Sequence, residues 1–372
     1  MKSFKTYITE AQKIEANRGD LAEVLLGAAV TAKFWKHPAK GMVTIDDIKE
    51  VLRMVLKSNP IELKRGDIGY ESKISDIIRF KMGVPKKAHD FIQIESNWNY
   101  IKDLFNSVVH HVNSDRRLDL QSTVLSKNGK IDDIYVNAAG LEDQTGTKAD
   151  IKLTIDGKQT VNQISLKTDI GQFAQVAGTT FDKQITIWER MGIDVSPTKG
   201  AYDAISNKID ITLRHASREE AKSSEVGKLL RDAAAIPYKY AADELERKLK
   251  AQDMGIINQL ANFIQIGATK NDPNIEIVKL ESNKSKKARF GPNFIKNLKA
   301  IAPELKVEYK KTSDPIVNIY DPKLGSGKNG SLLQIRAKYT PESTKGKVKM
   351  YYHYLRNIVE AGDLFYNLAT DK

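Results

Sequence analysis

Apolar and polar positions divide the chain into stretches of different period. Residues 21–32 (LAEVLLGAAVTA) are apolar or small nearly all round, and Glu23 is their one charge. A helix apolar on every side is a buried helix, and Asp20 stands where its N-cap is expected. The lone carboxylate needs a partner, because an unpaired buried charge is costly. Residues 36–117 read as a helical insertion. One helix is expected from a Thr44 cap to about Lys57 and a second over 71–81. A third carries Ile101, Leu104, Phe105, Val108, Val109 and Val112 at the 3.6-residue spacing of an amphipathic face.

From Leu118 the period shortens toward that of strands, expected over 118–125 and 131–137. Two more, 148–155 and 161–167, are joined through Asp156-Gly157, a hairpin-turn signal. A helix-like stretch begins near Gln172 (QFAQV). Residues 217–251 read as helix with a break or kink at Pro237, and a further helix runs to about Ile266. Strands follow at 275–280, 307–309, 316–320 and 332–339, then a helix over 350–368. The expected architecture is α/β. It comprises an N-terminal arm with a first core helix (1–35), the helical insertion (36–117), a sheet-based core (118–200), a helical segment (201–270) and a C-terminal α+β module (271–372).

Composition narrows the partner. The 372 residues carry 59 Lys and Arg against 47 Asp and Glu, a formal charge of +12. Such a surplus favours a polyanion, nucleic acid first, because Lys and Arg displace counterions from phosphates. There is no cysteine, which excludes disulfides, thiolate catalysis and Cys-based zinc sites. No run approaches the roughly 18 apolar residues of a membrane span, and the first residues lack the apolar run of a signal peptide. No membrane partner and a cytoplasmic location are the expectations.

The candidate chemistry lies in residues 148–167. Gln163, Ser165 and Lys167 share one face of their strand because side chains alternate, while Ile164 and Leu166 face the core. An antiparallel partner brings Asp150 beside that polar row. An acid, oxygen-bearing side chains and a lysine at one sheet edge suit phosphodiester hydrolysis. Carboxylates and a carbonyl hold Mg²⁺, with Mn²⁺ as an alternative. The metal polarises the phosphate and lowers the pKa of a bound water, and the lysine orients that water or neutralises developing charge. Each residue also has a plainer role: Glu23 in an internal ion pair, Asp150 and Lys167 as ordinary strand-end residues, Gln172 and Gln175 on a solvated face.

The runs KADIKL and QISLK, followed by a helix-like stretch, resemble the core of the PD-(D/E)XK, restriction-endonuclease-like, nuclease superfamily. That fold has a helix bearing an acid, then a hairpin bearing Asp, then (D/E)-X-Lys. The resemblance covers roughly residues 18–36 and 118–195. It implies a mixed-sheet core flanked by helices, with Glu23 as first acid, Asp150 as motif Asp and Lys167 as motif Lys. Glu23 and Asp150 would be the metal ligands, and a homodimer is compatible with such enzymes. One position departs: Ser165 stands where the second acid belongs, and Glu23, Gln163 or Asp169 would have to supply the missing ligand. The wider pattern GTKADIKLTIDG…ISLKT…QFAQVAG and the opening MKSFKTYITEA also resemble proteins of tailed bacteriophages, which would put the protein in the host cytoplasm.

Basic segments supply candidate nucleic-acid contacts. Lys284, Lys286, Lys287 and Arg289 form the densest run, expected as a phosphate-clamping loop that also takes in Lys279. Gln334, Arg336 and Lys338 alternate on one strand near Tyr351, Tyr352 and Tyr354. Gln163 and Gln172 complete the set. Gly325-Ser326-Gly327-Lys328 is not a phosphate-binding loop, since the spacing to a second glycine and the Ser/Thr after the lysine are missing; a turn is expected. Two functional expectations follow, ahead of a third, an interaction protein with unrelated chemistry, which rests only on the failure of both. The first is a Mg²⁺-dependent DNA endonuclease catalysing through Glu23, Asp150, Ser165 and Lys167. The second is a DNA-binding or virion-associated protein on a catalytically degenerate nuclease core.

Overall fold

Helix α1 (Arg18–Lys36) is buried from residue 21 to residue 34 with Glu23 the one interruption. Its N-cap is Asn17, whose side chain accepts the Gly19 amide at 3.0 Å. Asp20, expected as the cap, lies instead in the first turn, where a carboxylate still suits the helix dipole. At Gly27 a Cβ would sit 2.6 Å from Ala138 Cβ and 2.9 Å from a Phe80 ring carbon. Glycine therefore lets this helix lie close on the strands that carry those residues.

The computed structural model describes residues 16–37, 41–63, 67–115, 118, 131–139, 149–159, 163–167, 172–269, 275–281, 284–289, 292–344 and 348–369. The chain is a mixed α/β protein of two units. One comprises residues 1–169 and 272–287, the other 170–271 and 288–372.

In the first unit α1 is followed by α2 (Ile45–Leu56), whose Thr44 and Asp47 form a reciprocal capping box. Strands β1 (Ile61–Glu62), β2 (Ile68–Lys73) and β3 (Ile78–Val84) come next. They correct the helix expected over 71–81. Ile78, Phe80 and Met82 alternate onto a buried face, and that period-two pattern continues to Val84, beyond the span that was read as helical. Helices α3 (Lys86–Ile92) and α4 (Lys102–Ser114) lead to β4 (Ile134–Ala138), which pairs parallel with β3. Of the strand expected over 118–125, residues 119–125 lie outside the described residues.

Strand β5 (Lys152–Ile155) pairs antiparallel with β4 and turns back through Asp156-Gly157 into β6 (Lys158–Gln159). The turn residues have φ of 48° and 72°, the left-handed pair a tight hairpin demands. The chain then forms β7 (Gln163–Lys167), joined to the start of β5 by an antiparallel bridge between Ile151 and Ile164. After the second unit the chain returns as β10 (Ile275–Glu281), parallel to β7, and β11 (Lys284–Arg289), giving the order β11-β10-β7. Val278 and Leu280 of β10 join the α1 core. The helical insertion is thus no separate body, since β2 and β3 belong to the main sheet. Residues 275–281 are no part of a C-terminal module.

The second unit contains β8 (Gln172–Ala177), α5 (Phe181–Arg190), α6 (Lys199–Ser206), β9 (Arg214–His215), α7 (Arg218–Ser223), α8 (Glu225–Lys250) and α9 (Met254–Thr269). After β11 come α10 (Pro292–Ile301), β12 (Lys306–Lys311), β13 (Pro315–Tyr320), β14 (Ser331–Tyr339), β15 (Glu342–Ser343), β16 (Tyr351–Tyr352), β17 (Leu355–Ala361) and α11 (Asp363–Ala369). Its five-stranded sheet runs β12-β13-β14-β17-β8. The QFAQV stretch expected as helix is the edge strand β8, held by its pairing with β17. Helix α8 passes through Pro237 unbroken. A mid-helix proline costs about 3 kcal/mol, and the burial of Ala233, Ala234, Tyr238, Ala241 and Ala242 against the sheet outweighs it. The helix expected over 350–368 is β16, β17 and only then helix, because β16 pairs with β9 and β17 with β14 and β8; Gly362, between β17 and α11, is a close approach where a Cβ would lie 2.0 Å from the Ser331 carbonyl oxygen. The Gly325–Lys328 segment lies between β13 and β14, as expected of a turn.

Candidate active site

The Ile151–Ile164 bridge sets the register that brings the candidate residues together. Asp150 precedes β5 by two residues and faces Ser165 across the bridge. Asp150 Oδ2 accepts the Leu166 amide at 2.6 Å and the Ser165 hydroxyl at 3.4 Å. Lys167 Nζ donates to Ser165 Oγ and to the Leu166 carbonyl, each at 2.9 Å, and stands 3.9 Å from Asp150 Oδ2. One cation therefore already sits amid a carboxylate, a hydroxyl and a carbonyl. Ser165 is fully buried, while the Asp150 and Lys167 side chains keep 25% and 18% of their surface.

Glu23 completes the cluster from α1. Burial pushes its carboxyl well above the usual carboxylate range, the charges of Asp150 and Asp20 push it further, and Lys167 opposes them. Among the described residues no hydrogen bond relieves it. Asp20, one helical turn earlier, is also raised, first by burial and then by Asp67. Glu23 thus feels Asp150 as a like charge that Lys167 offsets in part. That imbalance is what a divalent cation relieves, and the donors present are all oxygen, the preference of Mg²⁺ or Mn²⁺. Among the described residues no three acids or histidines gather as a ligand set. Among the described residues the donors on offer are the Glu23 and Asp150 carboxylates, the Ser165 hydroxyl and the Leu166 carbonyl, which in composition fit a hard cation; Asp169 lies outside the described residues.

Three features escaped the sequence reading. Asp20 and Glu23 are three apart on a helix and so share a face, a spacing visible in the sequence. Asp67 acts on Asp20 only through the fold. Lys279 pairs in register with Lys167 on the neighbouring parallel strand and is 1% exposed. Its place among the apolar residues of IEIVKLE marks a buried strand and sets it apart from the basic run expected to include it.

The expected nucleic-acid contacts fare unevenly. Gln163 is fully buried, and its amide donates to the Leu153 carbonyl at 3.0 Å and accepts the Leu153 amide at 3.3 Å. It fastens β7 to β5 and presents nothing to a ligand. The basic run is an edge strand rather than a loop. Lys287 lies 3.4 Å from Asp115 and Lys286 lies 3.9 Å from Glu281, whereas Lys284 is exposed. Lysines along an edge strand also deter pairing with another sheet. Arg289 is half-buried. Arg336, in the second unit, donates to Gln334 at 2.9 Å, and the Gln172 side chain lies outside the described residues.

No family model matches the chain, and no curated protein or solved structure matches it. No described helix is long and apolar enough to cross a membrane.

Proposed function

We propose that the first unit is a restriction-endonuclease-like domain of the PD-(D/E)XK type and that the protein is a Mg²⁺-dependent DNA endonuclease. One observation carries this reading: Asp150, Ser165 and Lys167 lie within hydrogen-bond or ion-pair reach of one another, with Glu23 of α1 electrostatically coupled to Asp150. The order of parts agrees with the resemblance, an acid-bearing helix, then a hairpin strand with Asp, then a strand ending in X-Lys.

When bound, Mg²⁺ would supply Lewis-acid activation of a phosphate oxygen and of a water. Glu23, Asp150 and the Leu166 carbonyl would hold it. Lys167 would give up its bond to that carbonyl and turn its ammonium toward the attacking water or the phosphate. Ser165 keeps Lys167 and Asp150 aligned through the two contacts it makes. The charge of +12 supplies sequence-independent attraction to the DNA backbone.

Ser165 also favours a second reading, a DNA-binding or virion-associated protein on a degenerate nuclease core, because a hydroxyl brings no negative charge to a cation. Incubation of supercoiled plasmid with Mg²⁺ or Mn²⁺ separates the two. The enzyme reading expects nicking that falls about 10²-fold or more in Asp150→Asn and Lys167→Ala, a loss typical of removing one group acting in the transition state. Salt-sensitive binding with no cleavage by the wild type supports the second reading and overturns the first.

A further inference from the structure

The second unit holds a buried polar cluster that the nuclease reading does not use. His215 ends β9, which pairs with β16 so that His215 lies opposite Tyr351. His353 follows β16 directly. The two rings meet edge to face, with Nε2 of one 3.1 Å from Nε2 of the other. Both residues are almost enclosed, at 8% and 4% exposure.

The outer nitrogen of each ring is already engaged. Nδ1 of His353 lies 2.8 Å from the Tyr339 hydroxyl, and that hydroxyl lies 2.9 Å from the Ala221 carbonyl. A carbonyl only accepts, so the Tyr339 hydrogen points to it, and the hydroxyl oxygen accepts from Nδ1–H of His353. Nδ1 of His215 lies 3.4 Å from the Glu220 carboxylate, which also only accepts, so Nδ1 of His215 carries a hydrogen as well. With both Nδ1 atoms carrying hydrogens, the two Nε2 atoms 3.1 Å apart share one positive centre, either a proton that makes the contact a hydrogen bond or a metal ion.

We propose that His215 and His353 form a nitrogen-donor site for a borderline divalent transition metal such as Zn²⁺, separate in chemistry from the oxygen donors of the first unit. Imidazole nitrogens bind Zn²⁺ at about 2.0–2.1 Å, and two of them in a tetrahedral shell are roughly 3.3 Å apart, close to the separation found here. A carboxylate or hydroxyl on the far nitrogen, fixing tautomer and ring orientation, is the usual support of a histidine ligand, and here both rings have one. Water would fill the remaining positions, and the Asp210 carboxylate is an acid whose charge reaches His353. The bound ion would pin the short β9 segment and α7 to the end of β14, which carries Tyr339, and to the segment after β16.

Titration calorimetry of the full chain with Zn²⁺ tests this, with Asp150→Ala as a background that removes an oxygen ligand from the first unit. The expected result is one equivalent bound in both the wild type and Asp150→Ala. That binding is lost in His215→Gln and His353→Gln, and weakened about 10–100-fold in Tyr339→Phe, the usual effect of removing a ligand's supporting partner. Should a histidine variant fail to fold, Tyr339→Phe and the imidazole ¹⁵N shifts of the wild type on adding Zn²⁺ give the same answer. Zn²⁺ affinity unchanged by the histidine substitutions overturns the proposal. So does a wild type that binds no Zn²⁺ while its Nε2 pair titrates as a shared proton.

Discussion

At the scale of single residues the strongest statement concerns Glu23. Folding takes its carboxyl out of water and sets it beside Asp150 and Asp20, which raises its pKa well above the ordinary 4.5. A group raised in this way holds its proton more tightly in the native state. From about pH 4.5 up to the raised value the native chain binds more protons than the unfolded one, so stability falls as pH rises through that window. Asp20 contributes in the same direction from its own ordinary value. In EDTA, the melting temperature of the wild type is expected to decline with pH across this range. Glu23→Gln should decline less and be the more stable protein at alkaline pH, keeping the slopes of the other shifted groups, Asp20 among them. Added Mg²⁺ should raise the alkaline melting temperature of the wild type and leave Glu23→Gln nearly unmoved. Identical pH slopes for the two proteins would remove the coupling on which the cation site rests.

At the scale of elements, the packing of α1 on the sheet can be tested at Gly27. A side chain there would collide with Ala138 and the Phe80 ring, and overpacking of this kind costs about 1–3 kcal/mol. Gly27→Val is expected to lower the unfolding free energy in urea by that amount, read as a lower midpoint at an unchanged m-value; an unchanged midpoint would mean the helix stands farther off. In the second unit, Asn357 is fully buried, accepts the Tyr238 hydroxyl at 2.8 Å and donates to the Lys183 carbonyl at 3.1 Å. Asn357→Leu strands both partners, and each stranded buried group costs roughly 1–3 kcal/mol. Guanidinium unfolding would register that loss, and a neutral result would show that water can replace the amide.

These elements also show how far the sequence was readable. Helix α1 was legible because residues 21–32 are apolar on every side, and the Thr44 start of α2 because its capping box is local. The Asp150–Lys167 encounter was legible because strand alternation and an Asp-Gly turn fix faces and direction without reference to the rest of the fold. β2 and β3 were not, because residues 71–81 contain isoleucines at spacings that fit a helix until the alternation is followed to Val84. β8 was not, because only its partner β17 makes QFAQV a strand. The fate of Gln163 was hidden for the same reason: alternation put it on the polar face, but only the approach of Leu153 turns that position into the interior.

At the scale of the whole molecule, the candidate site depends on a strand encoded more than a hundred residues after Lys167. The chain leaves the first unit at residue 169 and returns at 272. What it brings back is β10, which flanks β7 in parallel register, aligns Lys279 with Lys167 and adds Val278 and Leu280 to the core around α1. Without it β7 would lose that neighbour and expose its Lys167 end along an open edge. Losing a buried valine or leucine side chain costs about 2–5 kcal/mol, and a domain's whole stability is about 5–15 kcal/mol. Two such losses, together with the backbone pairing of five residue pairs, are enough to unfold the unit. A chain ended after residue 271 keeps Glu23, Asp150, Ser165 and Lys167, yet it is expected to show no cooperative melting of the first unit by circular dichroism and no Mg²⁺-dependent nicking. If that shortened chain cleaved plasmid as the full chain does, the chemistry would have to reside in the hairpin and α1 alone, and the parallel strand would be dispensable to it.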